Sequence, residues 1–314
     1  MTDANPVLLI AGPTASGKSA LALDLARAFA GTVINADSMQ VYRELRILTA
    51  RPSAEDEALA PHCLFGVMAA AEPGSAGRWL ALARAEIEAA QAQGQLPLVT
   101  GGTGMYLKAL QDGLAAVPEI PDAVNADVRA LYEEIGGEAF VGELTRIDPD
   151  AARRLPAGDS QRLTRAMAVV RSTGMTLDAW QAEQDEGSNL AARFFTITVL
   201  PEREALYAAC EARFEAMLKA GALAEAEAFL ALGLDAALPA MKAVGVGELA
   251  RHLSGDISLE DATQAAKQAT RNFAKRQLTW LRNQVEADYV VDGFYGPDQT
   301  DKVAGAVRAF LGRD

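Results

Sequence analysis

Short runs of apolar residues alternate along the chain with longer segments in which apolar residues recur at helical spacing. The runs are rich in β-branched residues and lie at 7–11, 32–36, 96–100, 194–200 and 289–291. Leu21, Leu25 and Phe29 mark one face of a helix after the first run, and segments rich in Ala, Leu and Glu follow near 78–93 and 202–232. Buried strands separated by helices predict an α/β fold, in which helices cover a parallel sheet.

The strand pattern is absent between about 118 and 186. Helical segments there are interrupted by Pro118, Pro121, Gly136-Gly137, Pro149 and Pro156. The strand-like sequence FFTITVL then resumes the sheet. We therefore expect a helical subdomain at 118–190, inserted into a core formed by 1–117 and 191–314.

Composition narrows the class of protein. The chain has 314 residues, half of them apolar, which fits a globular protein of two structural units. No apolar run reaches the ~20 residues that span a bilayer, and the apolar N-terminal stretch lacks a basic flank. Cys63 and Cys210 show no CxxC or Cys/His spacing, which argues against a disulfide framework or a zinc site. We expect a cytoplasmic protein without a membrane segment.

A glycine-rich motif separates the first predicted strand from the first predicted helix. It matches G-x-x-x-x-G-K-[ST] and consists of Gly12, Pro13, Thr14, Ala15, Ser16, Gly17, Lys18 and Ser19. The glycines let backbone N–H groups face one anion, and the helix N-terminus adds its positive dipole end. Lys18 supplies a point charge, and the Ser19 hydroxyl can ligate Mg²⁺. The motif predicts a phosphorylated ligand, although kinases, hydrolases and other phosphate-binding proteins share it.

Two further polar segments follow predicted strands. Asp37 comes directly after the run 32–36, and Gly101-Gly102-Thr103 follows the run 96–100. The carboxyl ends of parallel strands share one edge of the sheet, so Asp37, Thr103 and the glycine-rich motif should converge. Asp37 fits a general base, a helix N-cap or a carboxylate that bridges to Mg²⁺, and the glycine pair also fits a plain strand-to-helix turn.

One ordered set of motifs extends over nearly the whole chain. It comprises GPTASGKS, DSMQVYREL, TARP, GGTGMYLKAL, DPDAARRL, DSQRLTRAMAV and ATRNFAKRQLTWLRN. Together these motifs resemble the bacterial tRNA dimethylallyltransferases. The resemblance implies a P-loop NTPase-like core that binds dimethylallyl diphosphate, and a helical insertion that contacts the tRNA anticodon stem-loop. Such an enzyme transfers the dimethylallyl group to the N6 amino group of the adenine next to the anticodon.

The resemblance also implies roles for individual residues. Asp37 is expected to be the general base, and residues 12–19 are expected to hold the diphosphate, with Mg²⁺ bound in part by Ser19. Lys18 and Arg213 are expected to stabilise the departing diphosphate. The residues expected to contact tRNA are Asp37, Ser38, Met39, Gln40, Thr103, Arg129, Gln161, Arg162, Leu163, Thr164, Arg165, Lys242, Arg271, Lys275 and Arg282.

The implied reaction has clear chemical requirements. An adenine amino group is a weak nucleophile because its lone pair is delocalised into the ring, so a base that accepts its proton assists the attack. The allylic carbon leaves the diphosphate only as the developing negative charge is stabilised. The adenine cannot reach such a site while it is stacked, so we expect it to flip out of the anticodon loop.

The net charge of −13 argues against a nucleic-acid partner unless basic residues are clustered. Residues 262–285 contain no Asp or Glu, and the spacing of Lys267, Arg271, Lys275 and Arg282 puts them on one helix face. A second basic cluster contains Arg153, Arg154, Arg162, Arg165 and Arg171. We expect RNA phosphates to bind both clusters, although a solvated helix face would give the same pattern.

Several positions depart from the pattern usual in the family that the chain resembles. Arg46 and Leu48 stand where Asp and Gly are common, Ala209 where Arg is common, and Val246 where an aromatic residue is common. These departures fall in the expected donor pocket and RNA contact, and none of them removes Asp37.

Three other functions share part of the pattern. An adenylate isopentenyltransferase would use the same phosphate loop but would not need the helical insertion or the basic C-terminal helix. A small-molecule kinase is supported by the phosphate loop alone. A non-catalytic RNA-binding protein with this loop would not need Asp37. For the chain itself we expect a monomer.

Overall fold

We describe residues 5–183 and 190–312 in a computed structural model of the chain. The chain divides into two compact units. The larger unit comprises Met1–Gln111 and Leu190–Asp314, and the smaller unit is Asp112–Asn189. The smaller unit begins earlier than the insertion expected at 118–190, because the segment before Pro118 groups with the helices that follow it.

The larger unit is built on a parallel sheet. Its strands are β1 (Asn5–Ala11), β2 (Gly31–Asn35), β3 (His62–Cys63), β4 (Leu96–Gly101), β5 (Ala192–Leu200) and β6 (Tyr289–Asp292). They lie side by side in the order β3-β2-β4-β1-β5-β6, and every pairing is parallel. The α/β fold class and the five strands predicted from apolar runs are thus confirmed. The sequence pattern missed β3 because two residues are too few to show periodicity.

The helices lie between these strands and in the smaller unit. In chain order they are α1 (Lys18–Phe29), α2 (Ala54–Leu59), α3 (Ala76–Ala92), α4 (Gly104–Asp112), α5 (Asp122–Thr145), α6 (Pro149–Arg154), α7 (Ser160–Thr173), α8 (Leu177–Ala182), α9 (Arg203–Lys219), α10 (Ala222–Leu230), α11 (Val246–Leu253), α12 (Leu259–Gln284) and α13 (Thr300–Leu311). None of those in the described residues is long and apolar enough to cross a membrane.

The core of the larger unit forms between the sheet and its covering helices. Leu8 and Ile10 of β1 are fully buried, as is Leu98 of the neighbouring β4. Leu21 of α1 and Val303 of α13 belong to the same apolar cluster. Because β1 lies inside the sheet and is buried on both faces, its sequence is continuously apolar rather than alternating.

Hydrogen bonds join the carboxyl ends of β2 and β4. The Ala36 N–H donates to the Thr100 carbonyl at 2.7 Å, and the Thr103 N–H donates to the Ala36 carbonyl at 3.3 Å. A Cβ atom at Gly101 would lie only 2.1 Å from the Ala36 carbonyl oxygen, so this close approach of the two backbones requires glycine. The two polar segments after these strands are therefore held next to each other.

The smaller unit has its own apolar core. Val128, Phe140, Leu144 and Leu163 are fully buried in it. The described residues of this unit form helices and no strand. Gly136 has left-handed backbone angles, φ 76° and ψ 164°, and bends α5 where the sequence shows a glycine pair.

Candidate active site

The glycine-rich loop connects β1 to α1. Gly17 adopts a left-handed conformation with φ 92°, and α1 begins at the next residue. The Tyr295 N–H donates to the Ser16 carbonyl at 3.3 Å, and a Cβ atom at Gly17 would lie 3.2 Å from the Tyr295 carbonyl oxygen. The C-terminal segment thus supports the loop from one side. The first N–H groups of α1 have no partner within the helix, so they are able to donate to an anion.

Lys18 folds back over this loop. Its Nζ atom donates a hydrogen bond to the Pro13 carbonyl at 3.2 Å. Burial lowers the pKa of Lys18 to about 8; nearby Asp37 acts to raise it, and nearby Arg213 to lower it further. A buried ammonium group with a lowered pKa is stabilised when an anion binds beside it.

Arg213 of α9 reaches the same loop. Its Nη2 atom donates to the Thr14 hydroxyl, and Thr14 is almost fully buried. Burial lowers the pKa of Arg213, with Cys210 and Asp37 acting in the opposite direction. Two cationic side chains that are far apart in sequence therefore lie at one loop.

Asp37 is fixed by the strand that precedes it. The fully buried Asn35 accepts the Asp37 N–H at 2.8 Å and donates to the Asp37 carbonyl at 3.0 Å. The Oδ1 atom of Asp37 accepts the Met39 N–H at 2.9 Å. Asp37 therefore caps a turn rather than a helix, and its carboxylate is held in one orientation.

The other residues of this turn also have internal partners. The Ser38 N–H donates to the Thr103 hydroxyl at 3.0 Å. The Gln40 amide donates to the carbonyl groups of Thr49 and Ala50, at 2.8 and 2.9 Å. Thr103 and Gln40, both expected to contact tRNA, thus already support the turn that carries Asp37.

One pocket in the larger unit brings several of these side chains together. Thr14, Asp37, Ser38, Met39, Arg213 and Lys242 line it, together with Leu48, Thr49, Cys210, Phe214, Met217, Ala243, Val244, Thr270, Phe273 and Arg276. Half of these residues are polar or charged, with Asp37 and Arg213 among them, and the other half are apolar. An anionic group and a short hydrocarbon can therefore bind side by side.

Sequence reasoning missed several lining residues. Phe214 and Met217 belong to α9, where the lining positions 210, 213, 214 and 217 follow helical spacing. That spacing would have identified them once Arg213 was chosen. Phe273 and Arg276 come from α12. Arg276 lies in the basic stretch 262–285 and Phe273 is expected to serve packing, but neither signal indicates a pocket.

The loop that contains two of the departures is fixed by a carboxylate. Glu225 of α10 accepts the backbone N–H groups of Arg46, Ile47 and Leu48 at 2.8, 2.7 and 2.8 Å. Leu48 lines the pocket and lies close to Gly245, where a Cβ atom would be 2.8 Å from its Cδ2 atom. Leu48 thus adds apolar wall to the pocket.

The other two departures lie on helices. Val246 is almost fully buried and begins α11, whereas Ala209 is half-buried on α9. The side chain of Val246 therefore packs in the protein interior.

The predicted basic face of α12 is only partly exposed. Lys275 and Arg282 are exposed, as expected for residues that bind a large partner. Lys267 is 7% exposed and forms an ion pair with Glu215, and Arg271 forms one with Glu211. The prediction that Lys267 belongs to the RNA-binding face is wrong, because α12 packs against α9 along this part of its length. Arg271 is held by the same packing.

In the smaller unit, the residues expected to contact tRNA fall into two groups. Arg129, Gln161, Arg162 and Arg165 are exposed. Leu163 is fully buried in the apolar core, so its side chain does not reach the surface of this unit, and the Thr164 hydroxyl donates to the Ser160 carbonyl at 2.7 Å. Helical spacing explains this division, because one face of α7 must cover the core.

Other arginines of the second basic cluster are paired with carboxylates. Arg153 contacts Asp150 at 2.6 Å, and Arg154 makes two hydrogen bonds to Asp178 at 2.8 and 3.0 Å. All four side chains are exposed, so these ion pairs leave the arginines accessible.

Among the described residues, no three His, Cys, Asp or Glu side chains are grouped so that they could hold a metal ion. His62 and His252 bind backbone carbonyls through Nδ1 instead, at 2.8 and 3.1 Å. Ser19 is exposed at the first turn of α1. A metal ion at this loop would therefore depend mainly on oxygen atoms of a bound phosphate, as is usual for Mg²⁺.

The chain is similar to known proteins over most of its length. A model of the IPP transferase family matches residues 40–284, and a model of isopentenyl transferases matches residues 5–59. The chain is 54% identical over 287 residues to a tRNA dimethylallyltransferase of Rhodospirillum centenum, covering 91% of each chain. It is 53% identical over 286 residues to that of Rhodospirillum rubrum, covering 91% of this chain and 88% of the relative.

Solved structures show the same fold. The full-length tRNA isopentenylpyrophosphate transferase of Bacillus halodurans is 28% identical, with a TM-score of 0.68 over 99% of this chain and all of that chain. A eukaryotic dimethylallyltransferase acting on tRNA is 24% identical, with a TM-score of 0.82 over 99% of this chain and 80% of that chain.

Proposed function

The chain belongs to the IPP transferase family, and we infer that it is a tRNA dimethylallyltransferase. We propose that it moves the dimethylallyl group of dimethylallyl diphosphate to the N6 amino group of the adenine next to the anticodon. The observation that carries this proposal is that Asp37, Thr14 and Arg213 line the same pocket as several apolar side chains. The pocket offers a proton acceptor, an anion site and room for a hydrocarbon together.

Asp37 acts as the general base. The adenine nitrogen attacks the allylic carbon, the bond from this carbon to the diphosphate oxygen breaks, and the nitrogen gives its proton to the Asp37 carboxylate. The turn at Met39 and the bonds to Asn35 hold this carboxylate in place before the substrate binds. Such preorganisation reduces the rearrangement that the transition state requires.

The glycine-rich loop and two cations stabilise the leaving diphosphate. Lys18 and Arg213 lie at this loop, and the N-terminus of α1 adds N–H donors. The Ser16 hydroxyl is fully buried and has no hydrogen-bond partner within the described residues, so a phosphate oxygen would satisfy it. Mg²⁺ fits beside Ser19 and would neutralise charge on the diphosphate when bound there.

We propose that exposed basic residues and Gln161 bind tRNA. Lys275 and Arg282 are exposed on α12, and Lys242 lines the pocket. Arg129, Gln161, Arg162 and Arg165 are exposed in the smaller unit. Phosphate contacts act locally, because charges beyond about 8–10 Å are screened at physiological salt, so the net charge of −13 does not prevent them. With tRNA as substrate, we propose that the protein works as a monomer in the cytoplasm.

Transfer to a free adenine nucleotide is the nearest alternative. The isopentenyl transferase model matches only residues 5–59, which contain the phosphate loop, whereas the IPP transferase model extends through α12. The smaller helical unit lies within that longer match and has no evident use with a free nucleotide.

Labelled dimethylallyl diphosphate, incubated with either tRNA or AMP, tests the function. We expect label in tRNA and none in AMP; the reverse result would favour the alternative, and no transfer to either would contradict both. Asp37→Asn keeps an oxygen to accept the Met39 N–H and removes the base, so we expect transfer to fall by about 10²–10⁴-fold. Binding of tRNA should change little, and transfer within a few-fold of wild type would refute the assignment of Asp37.

A further inference from the structure

The side chain of Gln277 connects two loops of the active site. Gln277 lies on α12 and is 6% exposed. Its Oε1 atom accepts the Thr14 N–H at 2.8 Å, and its Nε2 atom donates to the Gly102 carbonyl at 2.9 Å. One buried amide therefore binds the glycine-rich loop with one end and the segment after β4 with the other.

Gly102 makes room for this amide. A Cβ atom at position 102 would lie 2.1 Å from the Nε2 atom of Gln277. Any other residue would displace the amide or the loop. The glycine in this strand-to-helix turn is thus required by a side chain 175 positions later in the sequence.

The connection continues from Gly102 to the base. Thr103 is the next residue, and its hydroxyl accepts the Ser38 N–H at 3.0 Å. Ser38 directly follows Asp37. Movement of the Gly102 segment would therefore move the turn that carries the carboxylate.

The connection also continues to the diphosphate site. Thr14, whose N–H binds Gln277, accepts a hydrogen bond from Arg213 with its hydroxyl. A single side chain of α12 thus lies between the group that binds the leaving group and the group that accepts the proton.

We propose that Gln277 is a positioning residue that sets the separation between the diphosphate loop and Asp37. The inference rests on the proposed transferase function. The reaction needs the allylic carbon and the adenine nitrogen in line with each other, since a displacement of about 1 Å can cost about 10²-fold in rate. Both polar atoms of the Gln277 amide are bonded to backbone groups of the two loops, so we expect its effect to appear in kcat more than in the KM for dimethylallyl diphosphate.

In the variant Gln277→Glu, the two hydrogen bonds made by position 277 should depend on pH. A protonated carboxyl group can donate to the Gly102 carbonyl and accept the Thr14 N–H, as the amide does. An ionised carboxylate cannot donate, and it turns negative charge toward a carbonyl oxygen. The Thr14 N–H and the cations Lys18 and Arg213 at the same loop favour the ionised form. Burial at a position that is 6% exposed and the Gly102 carbonyl favour the protonated form, and we expect these two effects to raise the pKa of the introduced group above its usual range.

The experiment compares kcat for tRNA prenylation by the variant and by wild type across pH. We expect a variant to wild-type ratio near one at about pH 5.5, falling toward about 10⁻² at about pH 8.5. The site's own titratable groups are Lys18 of α1, Asp37 after β2, and Cys210 and Arg213 of α9. These are present in both proteins and largely cancel in the ratio.

Two further variants complete the design. Gln277→Leu removes both hydrogen bonds and should lower kcat by about 10²-fold at every pH. Gln264→Glu is the matched control, since Gln264 is exposed on the same helix, and its ratio should stay flat. If Gln277→Leu fails to fold, recovery of Gln277→Glu activity on lowering the pH of one sample still tests the proposal.

A flat ratio for Gln277→Glu, or a Gln277→Leu rate within a few-fold of wild type, would overturn the role of Gln277. Wild-type protein that transfers nothing to tRNA would instead contradict the proposed function.

Discussion

Arg213 donates a hydrogen bond to the Thr14 hydroxyl across 199 positions of sequence. The bond places a guanidinium group of α9 at the loop between β1 and α1, beside the proposed diphosphate. The same bond lets the contribution of the charge be separated from that of the hydrogen bond.

Removal of the Arg213 charge should slow transfer strongly. We expect Arg213→Met to lower kcat by about 10²–10³-fold, because the developing charge on diphosphate loses a buried cation. Thr14→Val keeps the cation and removes only its hydrogen-bond acceptor, so kcat should fall less in this variant than in Arg213→Met. Arg203→Met, at an exposed position of the same helix, is the control. Steady-state kinetics with saturating tRNA would measure this order, and equal losses for Arg213→Met and Arg203→Met would contradict it.

The lowered pKa of Lys18 should make diphosphate binding depend on pH. The pKa is about 8 in the free protein, and a bound anion raises it because it stabilises the ammonium form. Below about pH 8 the lysine is charged in both states, so it adds no pH dependence. Above about pH 8 binding requires proton uptake, and affinity should fall by up to about tenfold per pH unit.

Calorimetric titration with inorganic diphosphate measures this effect. Lys18→Met serves as the reference, because it retains the pH dependence of the ligand itself. The extra decline in wild type should coincide with proton uptake seen in buffers of different ionisation enthalpy. Identical slopes for the two proteins would show that Lys18 does not bind the diphosphate.

Glu225 should stabilise the loop that carries Leu48 into the lining of the pocket. It accepts three backbone N–H groups of the loop that contains Leu48. Glu225→Gln replaces one acceptor oxygen by a donor, so at least one N–H loses its partner. We expect the free energy of unfolding to fall by about 1–3 kcal/mol, together with a lower turnover. Glu227→Gln, exposed on the same helix, should change neither, and chemical denaturation of both variants would test this.

The contribution of each basic residue of α12 to tRNA binding should depend on whether its side chain is exposed. Replacing the exposed Lys275 and Arg282 by Gln should weaken tRNA binding and reduce its salt slope by up to about two units, because each phosphate contact contributes about one. Helix propensity is nearly unchanged by these substitutions, so the fold should remain intact.

The buried Lys267 provides the contrast. Lys267→Gln should lower stability, because the packing of the buried Lys267 side chain and its ion pair with Glu215 are lost, and should leave the salt slope of tRNA binding unchanged. Binding across a salt series measures both variants. A reduced slope for Lys267→Gln alone would reverse the assignment made from the structure.

The sequence by itself determined those elements whose pattern lies within one continuous stretch of the chain. The apolar run of β1, the glycine-rich loop and the start of α1 are local features, and the P-loop residues follow from a single stretch of chain. The convergence of Asp37 and Thr103 could also be inferred, since parallel strands end at one edge.

Only the tertiary structure decided which side chains of the later helices face the site. Lys267 and Lys275 look equivalent at the spacing of a helix, yet one is buried against α9 and the other is exposed. Gln277 carries no local signal, because its two partners lie 263 and 175 positions away. Periodicity fixes which residues share a face, but what covers that face depends on packing between segments that are distant in sequence.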